Sequence, residues 1–110
     1  LGWDVLRARN PDLVLCRISP FGPDGPLARH RGADLIAAAM GGNLYPTGNP
    51  DRPPVRCSLP IAHYHGGIEA ALGVAFALWG REQGIEGQVI DVSLQEVMVM
   101  PNMTVPAQFP

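Results

Sequence analysis

The segment over residues 62–83, AHYHGGIEAALGVAFALWGREQ, constrains the fold more than any other part of this 110-residue chain. Its apolar positions fit a long helix that is buried on most of its sides. Two histidines, one glutamate and four glycines interrupt the segment before Arg81, which argues against a membrane span. Such a helix has too little polar surface to stand alone, so we expect other elements to cover it.

Helix and strand patterns alternate around this segment. WDVLRARNPDLVLCRIS predicts the end of a helix, a turn at residues 10–12 and a short buried strand over Leu13–Ile18. ADLIAAAMGG predicts a short helix that ends at glycine. In GIEGQVIDVSL, a turn precedes a β-branched run typical of a strand. SLQEVMVM predicts a further helix with Ser93 as N-cap and Glu96 at N3, so the fold class is α/β.

Two loops rich in proline and glycine, SPFGPDGPLARHRG and NLYPTGNPDRPPVRCSLP, separate these elements. Neither has the spacing of a dinucleotide fingerprint or a P-loop. The first loop follows a predicted strand, a favoured place for ligands in α/β sheets, and each loop contains two arginines. These guanidinium groups either bind phosphates or are solvated surface charges. The four residues are Arg29, Arg31, Arg52 and Arg56.

Composition excludes some classes of protein. A net charge of −2 argues against dominant nucleic-acid binding, and 46% hydrophobic residues predict a packed core. Cys16 and Cys57 match no metal-binding spacing. The chain shows no signal peptide and begins at Leu1 without an initiator methionine. We therefore expect an internal section of a longer, cytoplasmic protein.

The histidine pair and one aspartate are the candidate reactive groups. His63 and His65 either cap and solvate the start of the long helix, or bind a metal with further ligands, or belong to an active site. A zinc site would need a third and usually a fourth ligand, and no convincing cluster exists, so no metal is expected. Asp34 is either a helix-start acid or a group for acid–base work or orientation.

Read together, three segments resemble the family III CoA-transferases, also called the CaiB/BaiF family. They are NPDLVLCRISPFGPDGP, RGADLIAAAMGGNLYPTGNPDRPPVR and LPIAHYHGGIEAALGVAFALWGREQGIEGQVIDVSLQE, which cover about residues 3–100 in unbroken order. The group includes formyl-CoA transferase and α-methylacyl-CoA racemase. The resemblance implies that residues 1–110 are part of one Rossmann-like large domain, with no second domain in this chain.

The resemblance also implies a reaction. Family transferases use an aspartate before the long helix to attack an acyl-CoA thioester, and the anhydride that forms stays activated for return attack. Where the family has that aspartate, this chain has His63. The function implied is an acyl-CoA:carboxylate CoA-transferase. The alternatives are a catalytically silent CoA-binding homologue or complex subunit, and a purely structural section.

Individual residues are carried over by the same resemblance. Arg31 matches a cationic position near the CoA phosphates, and Leu94 matches an apolar position that packs on CoA. Asp34 matches an acid close to the reaction centre, so His63 and Asp34 are the expected catalytic positions. The racemase branch has a histidine where this chain has Ala33. Both members of the racemase acid–base pair are thus absent, and racemase activity is the family reaction expected least.

The family further implies an interlocked homodimer of full-length chains and a cytoplasmic location. Its substrates are coenzyme A thioesters and free carboxylic acids, and it uses no tightly bound cofactor. Nucleic acid and membrane are not expected partners.

Replacing Arg31 with alanine is expected to weaken CoA binding by the full-length protein, because one charge-assisted contact to phosphate is lost. The loss should be on the order of tenfold at low salt and smaller at high salt. Calorimetric titration of CoA at two ionic strengths measures it. An affinity unchanged at low salt would remove Arg31 from the phosphate site.

Overall fold

A computed structural model describes residues 2–103 and 105 of the chain. Four α-helices, two β-strands and one 3₁₀ helix follow one another in this part of the chain. Their bounds are α1 Trp3–Arg9, β1 Leu15–Ser19, α2 Asp34–Met40, α3 Ile61–Glu82, β2 Val89–Ser93, α4 Leu94–Val97 and the 3₁₀ helix Met100–Asn102. The α/β class and the order of elements expected from the sequence are confirmed.

The two strands pair in parallel. Leu15 lies opposite Val89 and Ser19 lies opposite Ser93, so the two carboxyl ends meet at one edge of the sheet. Strand β1 starts two residues after the predicted Leu13 and ends one residue after the predicted Ile18. A parallel pair requires a crossover, which here contains both loops, α2 and α3.

Helix α3 packs on both strands through its small residues. Its buried positions are Ala62, Gly66, Ala70, Ala77 and Gly80. The opposite side carries large apolar side chains that this chain leaves exposed, namely Tyr64, Ile68, Leu72, Phe76 and Trp79. The helix is therefore buried along one face only, where the sequence predicted burial on most sides. Apolar periodicity does not tell which of two apolar faces one chain will cover.

The core lies where α2, α3 and α4 meet. Its buried residues are Ala37, Ala38, Ala62, Leu94 and Met98. Gly66 allows α3 to approach α4, because a Cβ atom at this position would lie 2.3 Å from Leu94 Cδ2. Asn102 closes the far end of this core by donating its side-chain amide to the carbonyls of Gly41 and Met98.

Ser93 caps α4 as predicted, since its hydroxyl accepts a hydrogen bond from the backbone N–H of Glu96 at 3.4 Å. The reciprocal bond of a full capping box, in which the Glu96 carboxylate would accept the backbone N–H of Ser93, does not form between these two residues. Within residues 2–103 and 105, no helix combines the length and apolar character needed to cross a bilayer.

Two neighbouring glycines of α3 give a matched test of this packing. Gly66→Ala should cost about 1–3 kcal/mol of unfolding free energy through overpacking against Leu94. Gly67→Ala should instead stabilise by about 0.5–1 kcal/mol, because its Cβ meets nothing within 4 Å and alanine favours the helix. Urea unfolding of both variants of the full-length protein measures the difference. Equal effects would mean that α3 does not approach Leu94 this closely.

One ion pair crosses the sheet on its exposed side. The Arg17 guanidinium donates to both carboxylate oxygens of Asp91, with Nε–Oδ1 and Nη2–Oδ2 distances of 2.6 Å. The two residues are direct neighbours in the strand register. This bidentate hydrogen bonding lowers the pKa of Asp91 and, against a smaller opposing desolvation, raises the pKa of Arg17.

Because folding lowers the pKa of Asp91, its contribution to stability is complete above the ordinary aspartate pKa and is lost as pH falls towards and through the lowered pKa of the folded state. Asp91→Asn should therefore lower stability at pH 7 and have less effect near pH 3. Urea unfolding at both pH values compares it with the wild type, and Asp51→Asn, an exposed loop aspartate, is the control. A destabilisation that is the same at both pH values would assign the effect to packing and not to the charge pair.

Candidate active site

The site begins at the carboxyl end of β1. Gly32 packs against Pro20, the residue that follows β1, so closely that a Cβ atom on Gly32 would lie 2.3 Å from Pro20 Cβ. The carbonyl of Pro20 accepts the backbone N–H of Gln95 from α4 at 3.0 Å. These two contacts fix the segment that leads into α2. Residues 31–34 are thereby held at the edge where α/β sheets usually bind ligands.

Asp34, the first residue of α2, reaches across to the start of α3. The N-cap residue of α3 is Pro60, which has no side-chain acceptor. The Asp34 carboxylate fills this role, since its Oδ1 accepts the backbone N–H of His63 at 3.0 Å. His63 is the third residue of the helix, whose N–H a local capping side chain would normally bind. Asp34 therefore caps a helix 29 residues away in sequence.

The same carboxylate oxygen lies beside the imidazole of His63. Asp34 Oδ1 is 3.3 Å from His63 Nδ1. The Asp34 side chain is 16% exposed and that of His63 is 56% exposed. Asp34 is therefore the more buried partner, and the imidazole of His63 faces solvent. Small neighbours make this approach feasible, because Ala37 and Ala62 are fully buried where the two helices meet. A carboxylate and an imidazole in contact form an acid–base pair that can hold or move a proton.

The structure changes the interpretation of the two histidines as helix caps. Neither side chain caps α3, because the carboxylate of Asp34 provides the acceptor that its first turn needs. Both histidines are exposed. Two positions apart on a helix corresponds to about 200° of rotation, so His65 does not share the side of His63. Of the two histidines, His63 is the one in contact with Asp34.

The two positions expected to bind CoA lie in different environments. Arg31 is exposed and lies three residues before Asp34 in the chain, so their Cα atoms are at most about 10 Å apart. Leu94 is 4% exposed and belongs to the core beneath α3. The structure thus brings Asp34 and His63 together, with Arg31 three residues away along the chain and Leu94 in the core beneath α3.

Two surface cavities formed by described residues are lined by neither Asp34 nor His63. One, of about 360 Å³, lies beside β2 and α4 and includes the carboxylates of Glu69, Asp91 and Glu96, which would repel phosphate. Another, of about 380 Å³, lies within the second loop and includes Tyr45 and Arg52. Among the described residues, no three side chains of His, Cys, Asp or Glu gather to hold a metal ion.

Sequence reasoning missed two residues that build the site, Gly32 and Pro60. The signal for Pro60 was present, because a proline that precedes a long helix without a Ser, Thr, Asp or Asn leaves the first turn without a local cap. The signal for Gly32 was absent, since its role is a close approach to Pro20, twelve residues earlier in the chain.

The chain is similar to known proteins over most of its length. The family model described as CoA-transferase family III matches residues 1–108. Over 96 residues the chain is 43% identical to succinyl-CoA–D-citramalate CoA-transferase of Chloroflexus aurantiacus, covering 87% of this chain and 24% of that protein. It is 42% identical over 97 residues to the beta subunit of succinyl-CoA–L-malate CoA-transferase of the same organism, with coverage of 87% and 24%.

A solved structure shows the same fold. The crystal structure of a CaiB/BaiF family protein from Brucella suis superposes with a TM-score of 0.93 at 32% identity, over 99% of this chain and 29% of that one. The chain thus spans about a quarter of the length of the curated relatives it matches. By sequence and by fold, the chain belongs to the family III CoA-transferases.

Proposed function

We propose that the protein containing this chain is an acyl-CoA:carboxylate CoA-transferase and that His63 lies at its reaction centre. The observation that carries the proposal is the contact of His63 with Asp34 at the start of α3. The resemblance to the family implies that the transferase nucleophile belongs at this position. Family membership supports the reaction class, since the relatives compared above are named as CoA-transferases.

The reaction requires a group that attacks the thioester carbonyl and then leaves again. The lone pair of the His63 imidazole would form a bond to this carbon, and the C–S bond would break to release CoA as thiolate. The carboxylate of the acceptor acid would attack the acyl-imidazolium, form a mixed anhydride and regenerate neutral imidazole. The CoA thiolate would then attack the acceptor's carbonyl and release the first acid as carboxylate. No proton is consumed in the sum of these steps.

CoA would bind along the edge that contains Arg31. An exposed guanidinium near the reacting pair suits a phosphate of CoA, and its bonds to phosphate would be charge-assisted. Leu94 is 4% exposed and packs in the core, so in this proposal it supports the edge from beneath and does not present its side chain to CoA. In this proposal CoA thioesters are substrates, and there is no tightly bound cofactor.

A second candidate is a CoA-binding homologue or complex subunit that does not react by itself. By the resemblance, His63 replaces the nucleophilic carboxylate of the family, and in the structure the nearby carboxylate of Asp34 is engaged in capping α3. One relative is named as the beta subunit of a transferase, which is a precedent in the family for a shared assembly.

The setting of the chain is part of the proposal. Residues 1–110 would belong to a larger Rossmann-like domain, and two full-length chains would form an interlocked homodimer in the cytoplasm. The large apolar side chains exposed along α3 support further burial, because Ile68 and Trp79 are each 67% exposed and Phe76 is 63% exposed.

CoA exchange tests the function directly. The full-length protein is incubated with acyl-CoA donors and isotope-labelled free carboxylic acids, and labelled acyl-CoA is measured by mass spectrometry. We expect exchange by the natural protein and a loss of at least 100-fold in His63→Ala, the lower end of what one catalytic group contributes. His65→Ala, the same change on another side of α3, is the matched control and should retain activity.

The alternative predicts a different pattern. No exchange by the natural protein, together with CoA binding and a gain of exchange in His63→Asp, would mean that the CoA site is retained without its nucleophile. Exchange that persists in His63→Ala would exclude His63 from the reaction.

A further inference from the structure

We propose that Asp34 is a positioning residue that acts through His63. It anchors the histidine backbone and holds the imidazole with its proton on Nδ1, so that Nε2 presents the lone pair. The consequence for catalysis rests on the proposed function, whereas the tautomer itself does not.

The backbone contact fixes the position of the His63 backbone, from which the imidazole extends. Oδ1 of Asp34 accepts the His63 N–H at 3.0 Å and replaces the side-chain acceptor that Pro60 lacks. A helix start bound in this way frays less, because one of its orphan donors is satisfied. The Cα–Cβ bond of His63 is thus held relative to α2 and to the carboxyl end of β1.

The side-chain contact selects the tautomer. An ionised carboxylate can only accept hydrogen bonds, and a neutral imidazole has one N–H and one lone pair. With Oδ1 at 3.3 Å from Nδ1, the favourable arrangement places the proton on Nδ1. The opposite tautomer would place the Nδ1 lone pair 3.3 Å from a negative charge. The lone pair is therefore left on Nε2, on a ring that is 56% exposed.

The two contacts share one oxygen atom, which links the geometry of the helix to the state of the ring. Asp34 is the less exposed partner at 16%, and its own backbone is held at the first turn of α2. A group fixed by its helix is suited to orient a mobile one. Removing the whole carboxylate thus affects both the position of the His63 backbone and the tautomer of its ring. Removing only the negative charge affects mainly the tautomer.

The test separates these two effects with Asp34→Asn and Asp34→Ala in the full-length protein. The asparagine keeps a carbonyl oxygen that can accept the His63 N–H, and the alanine keeps nothing. Asp51→Asn, in an exposed loop, is the matched control for loss of one negative charge. His63 is assigned in protein labelled with ¹⁵N-histidine by the signal that disappears in His63→Gln, and the Nδ1 and Nε2 shifts of the neutral ring report the tautomer.

In the natural protein and in Asp51→Asn, we expect the Nδ1-protonated form to predominate. In Asp34→Asn its ratio to the other tautomer should fall roughly fivefold, as expected for a partly exposed charge-assisted contact. Amide exchange at His63 should stay slow in Asp34→Asn and accelerate in Asp34→Ala. A predominantly Nε2-protonated ring in the natural protein, or a ratio unchanged in both Asp34 variants, would overturn the proposal.

Activity in the same samples distinguishes this inference from the proposed function. Asp34→Asn should lower kcat for CoA exchange with little change in KM for acyl-CoA, since the residue touches the imidazole and not the nucleotide. The expected tautomer in a protein without exchange would support the positioning role and refute the transferase. CoA exchange together with a His63 tautomer ratio that does not change in the Asp34 variants would support the transferase and refute the positioning role.

Discussion

The parallel pairing of β1 with β2 is the constraint on which the rest of the structure depends. Arg17 and Asp91 are neighbours in the sheet although 74 positions separate them in sequence. Closing a flexible loop of that length costs roughly 4 kcal/mol of chain entropy. Apolar packing of the crossover must offset this cost, and the small-residue face of α3 on the two strands provides it. The same pairing brings Ser19 and Ser93 to one edge, which creates the place where the site is built.

The site is therefore a product of helix starts held at one edge of a sheet. Gly32 brings the chain against Pro20, Asp34 then begins α2, and the buried alanines of α2 and α3 let the two helices meet. Only with that approach does the carboxylate of Asp34 reach His63. A larger residue at Ala62, which is fully buried, would separate the helices and with them the acid–base pair.

Local sequence patterns predicted the helices and strands well, but they could not predict contacts between residues far apart in the sequence. Ser93 and Glu96 are three residues apart, so their cap could be predicted from spacing alone. The α/β class followed from alternating patterns, although β1 was placed one or two residues off at its ends. Asp34 and His63 were both candidate residues, but no periodic pattern indicates that one caps the helix of the other. The exposed side of α3 was missed for a related reason. An apolar pattern shows which side chains favour burial, but it does not show which of them this chain buries.

An imidazole at position 63 forms a complementary pair with Asp34, whereas the aspartate that the resemblance implies for the family would place a second carboxylate there. A carboxylate at His63 would place two negative charges close together at the first turn of α3, where the carboxylate of Asp34 already binds an N–H. Their repulsion would oppose the helix dipole's preference for an anion there. An imidazole instead carries no negative charge, so it does not repel the carboxylate of Asp34. The effect of His63→Asp therefore combines a new nucleophile with a new repulsion, and only comparison with the same change in an Asp34→Asn background separates the two. Additivity of the two changes would show independent groups, and a gain beyond additivity would show that Asp34 and position 63 act as one unit.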